Sequence, residues 1–445
     1  MSIFASTILT YGNRILCVVL LLGVNIAISR GLGPAGRGTY AVFLLISTIT
    51  LLTGNLGTNI SSLRSIRKTD ASMHSIVANA LASVTAASLV VSSAVLASFP
   101  FCGTSIFRGL KLSWIAIAVS GAALLSISMT NSYLLLAENR VILVNLVDLV
   151  QSGSLFLGII CLLASHFRTV EAIMWMYLGS TAITCILSTS LILRYLTPAW
   201  DKLDWRVSYG LLKHGVIVLP VNVFQLLNGR VALFLLNMWS PAAQLGYFAV
   251  AISIAELLRH FAEAVRTVMF GELALRHGER AVRLTRSAAR WILWAAVLGG
   301  VALIVLARPF VLIAFSAAYL PVVPLLSYIV AGSVCLAAAS PMMSLMLMSG
   351  HGASQTRAAA VGMTLNMLLS VILIPSWGTM GAAVAYFVSF AALAISVYVD
   401  FFRYFGRTQG WTWLLPGRAD WAILMEKIQL LLRPQAAPTV GTGRG

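Results

Sequence analysis

The chain has 445 residues, of which 59% are hydrophobic and only 10% charged, and its mean hydropathy of +0.92 excludes an ordinary soluble domain. Its formal charge of +17 would suit a nucleic-acid-binding protein. However, the Lys and Arg residues lie in short loops between apolar segments, a distribution that membrane topology explains better. The composition therefore predicts a membrane protein that crosses the bilayer many times.

Apolar segments of about 17–25 residues, the length needed to cross a bilayer, recur along the whole chain. They lie at about 14–29, 40–62, 75–98, 112–136, 141–164, 172–193, 214–237, 246–270, 288–307, 322–348, 358–375 and 378–399. The sequence therefore predicts an all-α polytopic membrane protein with about twelve transmembrane helices. None of the connections is long enough for an inserted soluble domain.

Basic residues are distributed unequally between the two sides of the predicted membrane. If both termini are cytoplasmic, the cytoplasmic segments hold 21 Lys and Arg residues and the outer loops hold 6. The six outer residues are Arg30, Arg37, Arg108, Lys111, Arg168 and Arg308. The positive-inside rule therefore predicts that both termini are cytoplasmic.

The chain divides into two halves of six predicted helices that resemble each other. Pro34, Gly38 and Tyr40 in the first half correspond to Pro241, Gly246 and Phe248 in the second, at an offset of roughly 210 residues. We predict an N-terminal lobe at 1–200, a C-terminal lobe at 201–402 and a cytoplasmic tail at 403–445. The tail contains a predicted amphipathic helix at 421–432 on the membrane surface. A parallel repeat of this kind places the substrate path between the lobes.

The predicted eighth helix, Leu245 to Phe270, is apolar enough to span the membrane yet carries several ionisable residues. Glu256, Arg259, Glu263 and Arg266 fall within about 80° of arc at ~100° per residue, and His260 is adjacent. A charge that faces lipid at the bilayer centre costs at least ~2.5–3.5 kcal/mol, so this face must contact protein or water. It is either a ladder of ion pairs that packs helices or the wall of a polar cavity for a charged substrate, and we favour the cavity.

Other polar residues lie at membrane depth on neighbouring helices. Arg230 in the seventh span lies at a depth similar to that of Glu256, so the two are predicted to pair across adjacent antiparallel helices. Asn55 and Asn59 share one helix face in the second span. Asn145 and Asp148 share another face in the fifth span, together with Gln151. The Asn residues either make interhelical hydrogen bonds or line the cavity.

The sequence contains no convincing motif for binding a cofactor or a metal ion. Gly31 to Gly36 satisfies the dinucleotide pattern GxGxxG, but no strand precedes it and Pro34 lies within it, so it is better explained as a tight turn between two helices. The chain contains no GxxxxGK[ST] phosphate loop, no CxxC pair and no HExxH sequence. The sequence therefore predicts no cofactor and no metal site.

Three segments resemble one known family of membrane transporters. Leu226 to Phe270 resembles the seventh and eighth helices of bacterial Wzx-type polysaccharide flippases, which belong to the multidrug/oligosaccharidyl-lipid/polysaccharide exporter superfamily. Arg30 to Phe43 is similar to the junction between the family's first two helices, and Asn139 to Asn145 fits its fifth helix. Helix count and predicted lobes agree along nearly the whole chain, which implies a V-shaped, two-lobed transporter.

The resemblance also implies a function and roles for particular residues. Such a protein moves a lipid-linked oligosaccharide on an undecaprenyl-pyrophosphate-type carrier across the bacterial inner membrane by alternating access. Arg suits bidentate phosphate binding better than Lys. Residues expected to contact the pyrophosphate or line the path are Arg230, Arg259, Arg266, Asn55, Asn59 and Asn145. A polysaccharide polymerase complex is a candidate partner.

The chain departs from the family pattern near the seventh-helix arginine. Many family members carry an acidic residue two positions after this Arg, whereas here Val231 and Ala232 follow Arg230. Any coupling to H⁺ or Na⁺ must therefore be absent or must use other acids. The candidates are Glu256, Glu263 and Asp148.

Two alternative functions remain from the sequence. A drug/cation antiporter of the same superfamily would need a cavity dominated by acidic residues, whereas three Arg residues here stand beside Glu256, Glu263 and the nearby Asp148. A membrane enzyme such as a polysaccharide polymerase or ligase would usually carry a large outer loop with catalytic polar residues, but the predicted outer loops are short. We therefore predict a transporter and not an enzyme.

Overall fold

The structure is a computed structural model that describes residues 3–68, 72–102, 107–165, 168–274 and 278–406. At some positions within these ranges, including 261–274, only the backbone is described. The described residues form thirteen α-helices and no strand. The helices are α1 (Ile3–Asn55), α2 (Thr58–Lys68), α3 (Met73–Cys102), α4 (Leu112–Ala137), α5 (Val141–Ala164), α6 (Val170–Tyr195), α7 (Trp205–Trp239), α8 (Ala242–Ala274), α9 (Glu279–Val305), α10 (Ala307–Ala314), α11 (Val322–Met348), α12 (Gly352–Trp377) and α13 (Thr379–Phe405).

Helix α1 contains the first two predicted spans, which fold back on each other at Gly33. Gly33 has a non-helical backbone (φ 68°, ψ 179°), and Pro34 follows it. Arg37 Nη2 donates a hydrogen bond to Asn25 Oδ1 over 2.7 Å. In one straight helix these two residues would be about 18 Å apart along the axis, at ~1.5 Å per residue. The contact therefore requires a reversal, and the predicted tight turn is present.

The number of membrane-spanning helices agrees with the sequence prediction. Ten described helices are long and apolar enough to cross a membrane, and α1 counts as one of them. A shorter apolar segment, Val223–Trp239, lies within α7. With α1 counted as two spans and α7 included, the described helices account for the twelve predicted spans.

The second predicted span ends earlier than the apolar pattern indicates. We predicted one helix over 40–62, but α1 ends at Asn55 and α2 begins at Thr58. Leu56 and Gly57 between them have positive φ angles of 48° and 70°. A side chain at Gly57 would collide with the backbone of Gly215 on α7. The break in the helix is therefore coupled to close packing against the second half of the chain.

The two segments that the repeat aligns lie directly against each other. A Cβ atom at Gly38 would collide with the Ala242 carbonyl group at the start of α8. A Cβ atom at Gly246 would collide with the Pro34 carbonyl group at the start of the second arm of α1. The matching glycines thus let two corresponding helix starts approach at backbone distance.

Helices α1 to α6 pack mainly on one another, and so do α7 to α13. The halves touch where α1 packs on α7 and α8, and where α2 and α3 pack on α7. A short 3₁₀-helix, Trp200–Lys202, lies at the predicted boundary between the lobes. The division at residue 200 stays a prediction, and the predicted tail helix at 421–432 lies outside the described residues.

Candidate functional site

Three of the predicted charged residues form one cluster between α7 and α8. Arg230 Nη2 lies 3.1 Å from Glu256 Oε1, as the similar depths of the two residues predicted. Arg259 Nη2 lies 3.3 Å from the same oxygen atom. The three side chains keep 31%, 25% and 44% of their surface exposed, for Arg230, Glu256 and Arg259 respectively. The Glu256 carboxylate therefore forms ion pairs with two guanidinium groups in a partly exposed site.

The cluster forms part of the wall of a cavity of about 330 Å³, here called the C-half cavity. Helices α7, α8, α11 and α13 supply its wall, and among the described lining residues Thr48 of α1 is the one contribution from the first half. The charged residues in the described part of its lining are Arg230, Glu256 and Arg259, and Ser340 and Tyr386 add hydroxyl groups. The charged face of α8 therefore borders open space, as the cavity hypothesis expects.

Arg37 was counted among the outer-loop residues, and the structure corrects that assignment. It lies within the second arm of α1 and is only 3% exposed. Its Nη2 donates to Asn25 Oδ1 over 2.7 Å and to Ser253 Oγ of α8 over 3.4 Å. The position of Pro34 was the available signal, because proline favours the first turn of a helix and so places Arg37 inside the helix.

Arg37 lines a second cavity of about 160 Å³, here called the inter-half cavity. Both arms of α1 form one side of this cavity, and α7 and α8 form the other. Thr48, Arg230 and Glu256 line both cavities. The Arg230–Glu256 ion pair therefore stands between the C-half cavity and the inter-half cavity.

The three asparagines predicted to line the path lie elsewhere. Asn55 is 3% exposed and donates hydrogen bonds to Ser126 and Thr130 of α4. The backbone N–H of Asn59 donates to Asn55 Oδ1 over 3.4 Å. Asn145 Nδ2 donates to Thr10 Oγ1 over 3.0 Å. None of the three lines either cavity, and their contacts are those of interhelical packing.

The remaining predicted site residues are not part of the described cluster. Asp148 is exposed on α5, away from both cavities, and interacts electrostatically with Arg14 on α1. The cation near Asp148 therefore comes from a neighbouring helix. The side chains of Glu263 and Arg266 lie outside those that the structure describes. Within the described part of the chain, no group of three or more His, Cys, Asp or Glu residues could hold a metal ion.

Comparison with known families identifies the chain. A family model described as "Polysaccharide biosynthesis protein" matches residues 27–324, which is more than half of the sequence. The chain belongs to this polysaccharide biosynthesis family. The resemblance to Wzx-type flippases of the multidrug/oligosaccharidyl-lipid/polysaccharide exporter superfamily is thereby confirmed. No curated protein matches the chain.

Solved structures of transporters share the fold of this family member. The lipid II flippase MurJ in an inward closed conformation has a TM-score of 0.75 at 12% identity, and the match covers 96% of this chain and 100% of that one. An inward-facing multidrug resistance MATE transporter has a TM-score of 0.67 at 15% identity, covering 90% of this chain and 98% of that one. An outward-facing MATE transporter has a TM-score of 0.58 at 16% identity, covering 90% and 95%. The predicted fold class is confirmed.

Proposed function

We propose that this protein is a flippase that moves a lipid-linked oligosaccharide across the bacterial inner membrane for the synthesis of a surface polysaccharide. The observation that carries the proposal is the sharing of Glu256 by Arg230 and Arg259 at the wall of a cavity among the helices. The side chains of Arg230 and Arg259 are 31% and 44% exposed, so an anionic headgroup in the cavity can reach them. An undecaprenyl-pyrophosphate-type carrier supplies such an anion, and Arg binds phosphate oxygens with two parallel hydrogen bonds.

The repeated architecture supports transport by alternating access. Substrate sites in repeat-built transporters lie between the repeats, where one half can rock against the other. The inter-half cavity has this position, between α1 of the first half and α7 and α8 of the second. The prenyl tail would stay in lipid while the headgroup and sugars cross through the cavities. Membership of the polysaccharide biosynthesis family supports a sugar-carrying substrate.

An ion gradient is the proposed energy source. Glu256, Glu263 and Asp148 remain the candidate acids for coupling to H⁺ or Na⁺, since an ionisable residue at membrane depth is a functional candidate by default. Of these, Glu256 has the strongest support because it borders both cavities. A polysaccharide polymerase complex is proposed as a partner that receives the product.

The proposed orientation places both termini in the cytoplasm. Its support is the excess of Lys and Arg in the segments assigned to that side. Arg37 is buried and is therefore not counted as an outer-loop charge in this proposal.

A drug/cation antiporter is the second candidate function, because MATE transporters share the fold. The described cavity linings argue against it. Their charged side chains are Arg37, Arg230, Arg259 and Glu256, an excess of cations that would repel a cationic drug. A polymerase or ligase enzyme has less support, since neither the family nor the named structural relatives are described as such enzymes.

Substitution of two arginines that the sequence predicts to contact the pyrophosphate tests the proposal in cells that lack their own flippase for the same polysaccharide. We expect that neither Arg259→Ala nor Arg266→Ala restores the surface polymer, because the pyrophosphate loses a cationic contact. Arg140→Ala is the matched control, since Arg140 is exposed and lines neither cavity. Each variant is quantified in isolated membranes by immunoblot. Normal polymer from both Arg259→Ala and Arg266→Ala would rule out the cationic path.

A further inference from the structure

We infer that the inter-half cavity is a second binding site for a phosphate-class anion, with Arg37 as its cation, and that Glu256 separates it from the first site in the C-half cavity. The inference rests on the proposed function, which it deepens by giving the headgroup two successive positions. The first position is at Arg230 and Arg259, and the second is at Arg37.

Two nitrogen atoms of the Arg37 guanidinium group lack a hydrogen-bond acceptor among the described residues, as expected of a site that binds a ligand. A guanidinium group carries five N–H donors and has no acceptor of its own. Nη2 is bonded to Asn25 and Ser253, but Nε and Nη1 are buried and have no hydrogen-bond partner in the described part of the chain. The guanidinium carbon lies 5.8 Å from the centre of the Tyr40 ring, a contact that stabilises the charge but leaves those donors unused. Buried charged donors without acceptors are rare, so an oxygen-rich ligand is expected.

The charge balance of the two cavities points to an anionic ligand. In the inter-half cavity the charged side chains among the described lining residues are Arg37, Arg230 and Glu256, which gives an excess of one positive charge there. Glu256 already contacts Arg230 and Arg259 and also interacts electrostatically with His260 and Arg37. No further described acid lines either cavity to balance Arg37. A phosphate-class anion would supply both the missing charge and the missing acceptors.

The residues on α8 give the two sites an order along the membrane. Ser253 contacts Arg37, Glu256 contacts Arg230, and Arg259 follows one turn later. From Ser253 to Arg259 the helix rises about 9 Å, at ~1.5 Å per residue. Ser253 is nearer the start of α8 at Ala242, which is the outer end in the proposed orientation. The headgroup therefore meets Arg259 first and Arg37 last on its way outward.

When no anion is bound, the Glu256 carboxylate takes the place of the ligand at Arg230 and Arg259. Its carboxylate occupies the oxygen position that a phosphate would take between Arg230 and Arg259. An incoming phosphate displaces it from these arginines, and the carboxylate can then turn toward Arg37. When the headgroup reaches Arg37, Glu256 pairs again with Arg230 and Arg259 and opposes return of the anion.

Calorimetric titration of the full-length protein in zwitterionic phosphatidylcholine nanodiscs tests this inference. The probes are inorganic pyrophosphate and farnesyl pyrophosphate. For the wild type we expect two classes of bound anion. Arg37→Gln is expected to lose one class and Arg259→Gln the other, each by at least tenfold in affinity, whereas the control Arg140→Gln keeps both. Glu256→Gln is expected to tighten binding at Arg230 and Arg259 about tenfold, because the competing carboxylate is removed.

The outcomes separate this inference from the proposed function. Unchanged binding in Arg37→Gln, with loss in Arg259→Gln, would overturn the second site and leave the proposed function standing. The absence of binding by the wild type to both probes would contradict the proposed function itself. If Arg37→Gln does not fold, Arg37→Lys keeps the charge but loses the planar fork, and it is expected to weaken one class at least threefold. An unchanged affinity in that variant overturns the inference.

The same titration distinguishes the source of the anion. Nanodiscs that contain phosphatidylglycerol offer an ordinary phospholipid headgroup as a competitor. If the Arg37 site selects a pyrophosphate headgroup, both classes persist in these discs. Loss of the Arg37-dependent class would mean that a membrane phospholipid occupies the site, and it would overturn the assignment to the transported headgroup.

Discussion

At the scale of single residues, the burial of a charged side chain and the groups it contacts determine its role. Arg357 and Asp400 form an ion pair between α12 and α13, with both carboxylate oxygens 2.7 Å from Arg357 Nη2. The Arg357 side chain is 57% exposed, whereas that of Asp400 is only 9% exposed. This pair joins α12 to α13 and lines neither described cavity. Its role therefore differs from that of Glu256, whose carboxylate contacts both Arg230 and Arg259.

The unequal burial of this pair predicts unequal effects of substitution. Arg357→Gln is expected to lower the thermal unfolding temperature more than Asp400→Asn, because it leaves a buried carboxylate without its cation. Asp400→Asn leaves an exposed guanidinium group that water can solvate. Thermal unfolding of both purified variants at neutral pH measures the difference. An equal or reversed order would contradict the argument, and exposed Arg140→Gln serves as the control with little effect.

At the scale of secondary-structure elements, close glycine contacts hold the two halves together. Gly38 and Gly246 let the second arm of α1 meet the start of α8, and Gly57 and Gly215 let the link between α1 and α2 meet α7. In each case a Cβ atom would collide with backbone, which cannot move aside as the end of a flexible side chain can. These contacts bring Arg37 within reach of Ser253 on α8. Small residues at membrane helix interfaces commonly permit such approaches.

Gly246→Ala is expected to separate α1 from α8 and lower the unfolding temperature by several degrees. The added methyl group would overlap the Pro34 carbonyl group, so the helices must shift apart or the substitution must strain the turn. Gly210→Ala on α7 is the matched control, because a Cβ atom there would meet nothing within 4 Å. Thermal unfolding in detergent or nanodiscs compares the two. Equal stability of both variants would show that the contact is not close enough to matter.

At the scale of the whole molecule, contacts between the halves exist at both ends of the helices. Near one end, Ser61 Oγ donates to the Leu211 carbonyl oxygen over 2.7 Å. Near the other end, Arg108 Nη1 donates to the Met238 carbonyl oxygen over 2.9 Å. Along α7, the residues that line the two cavities, from Gln225 to Leu233, lie between these two contacts. The proposed alternating access would therefore require that one set of contacts break while the other holds.

Cross-linking tests this requirement directly. A disulfide between cysteines introduced as Ser61→Cys and Leu211→Cys, in a chain whose five native cysteines are replaced by serine, is expected to abolish polymer export. Reduction with dithiothreitol should restore it. A pair within the first half, Asn131→Cys and Ser188→Cys, is the control, because those side chains are 3.1 Å apart in one packed unit. Full export by the cross-linked Ser61–Leu211 variant would mean that these contacts do not open.

The pairing of two charged residues in the candidate site could be predicted from the sequence, whereas the assignment of the asparagines to the substrate path stays a prediction. The Arg230–Glu256 pair followed from similar depths on adjacent antiparallel helices, which helix geometry alone supplies. Asn55 could not be assigned in the same way, because its hydrogen bonds to α4 depend on which helix packs beside α1. A polar residue at membrane depth must find a partner, but its sequence neighbours do not say whether the partner is protein or substrate.

The sequence by itself determined the all-helical membrane fold, the number of spans and the charged face of α8. Each follows from local rules: backbone groups in lipid must bond within a helix, and helical periodicity fixes which side chains share a face. Only the tertiary structure decided that Arg37 is buried beside Asn25 and Ser253 and that one carboxylate lies between two arginines. The physical reason is that burial and counter-charge arise from contacts between segments far apart in the chain, which no local pattern encodes.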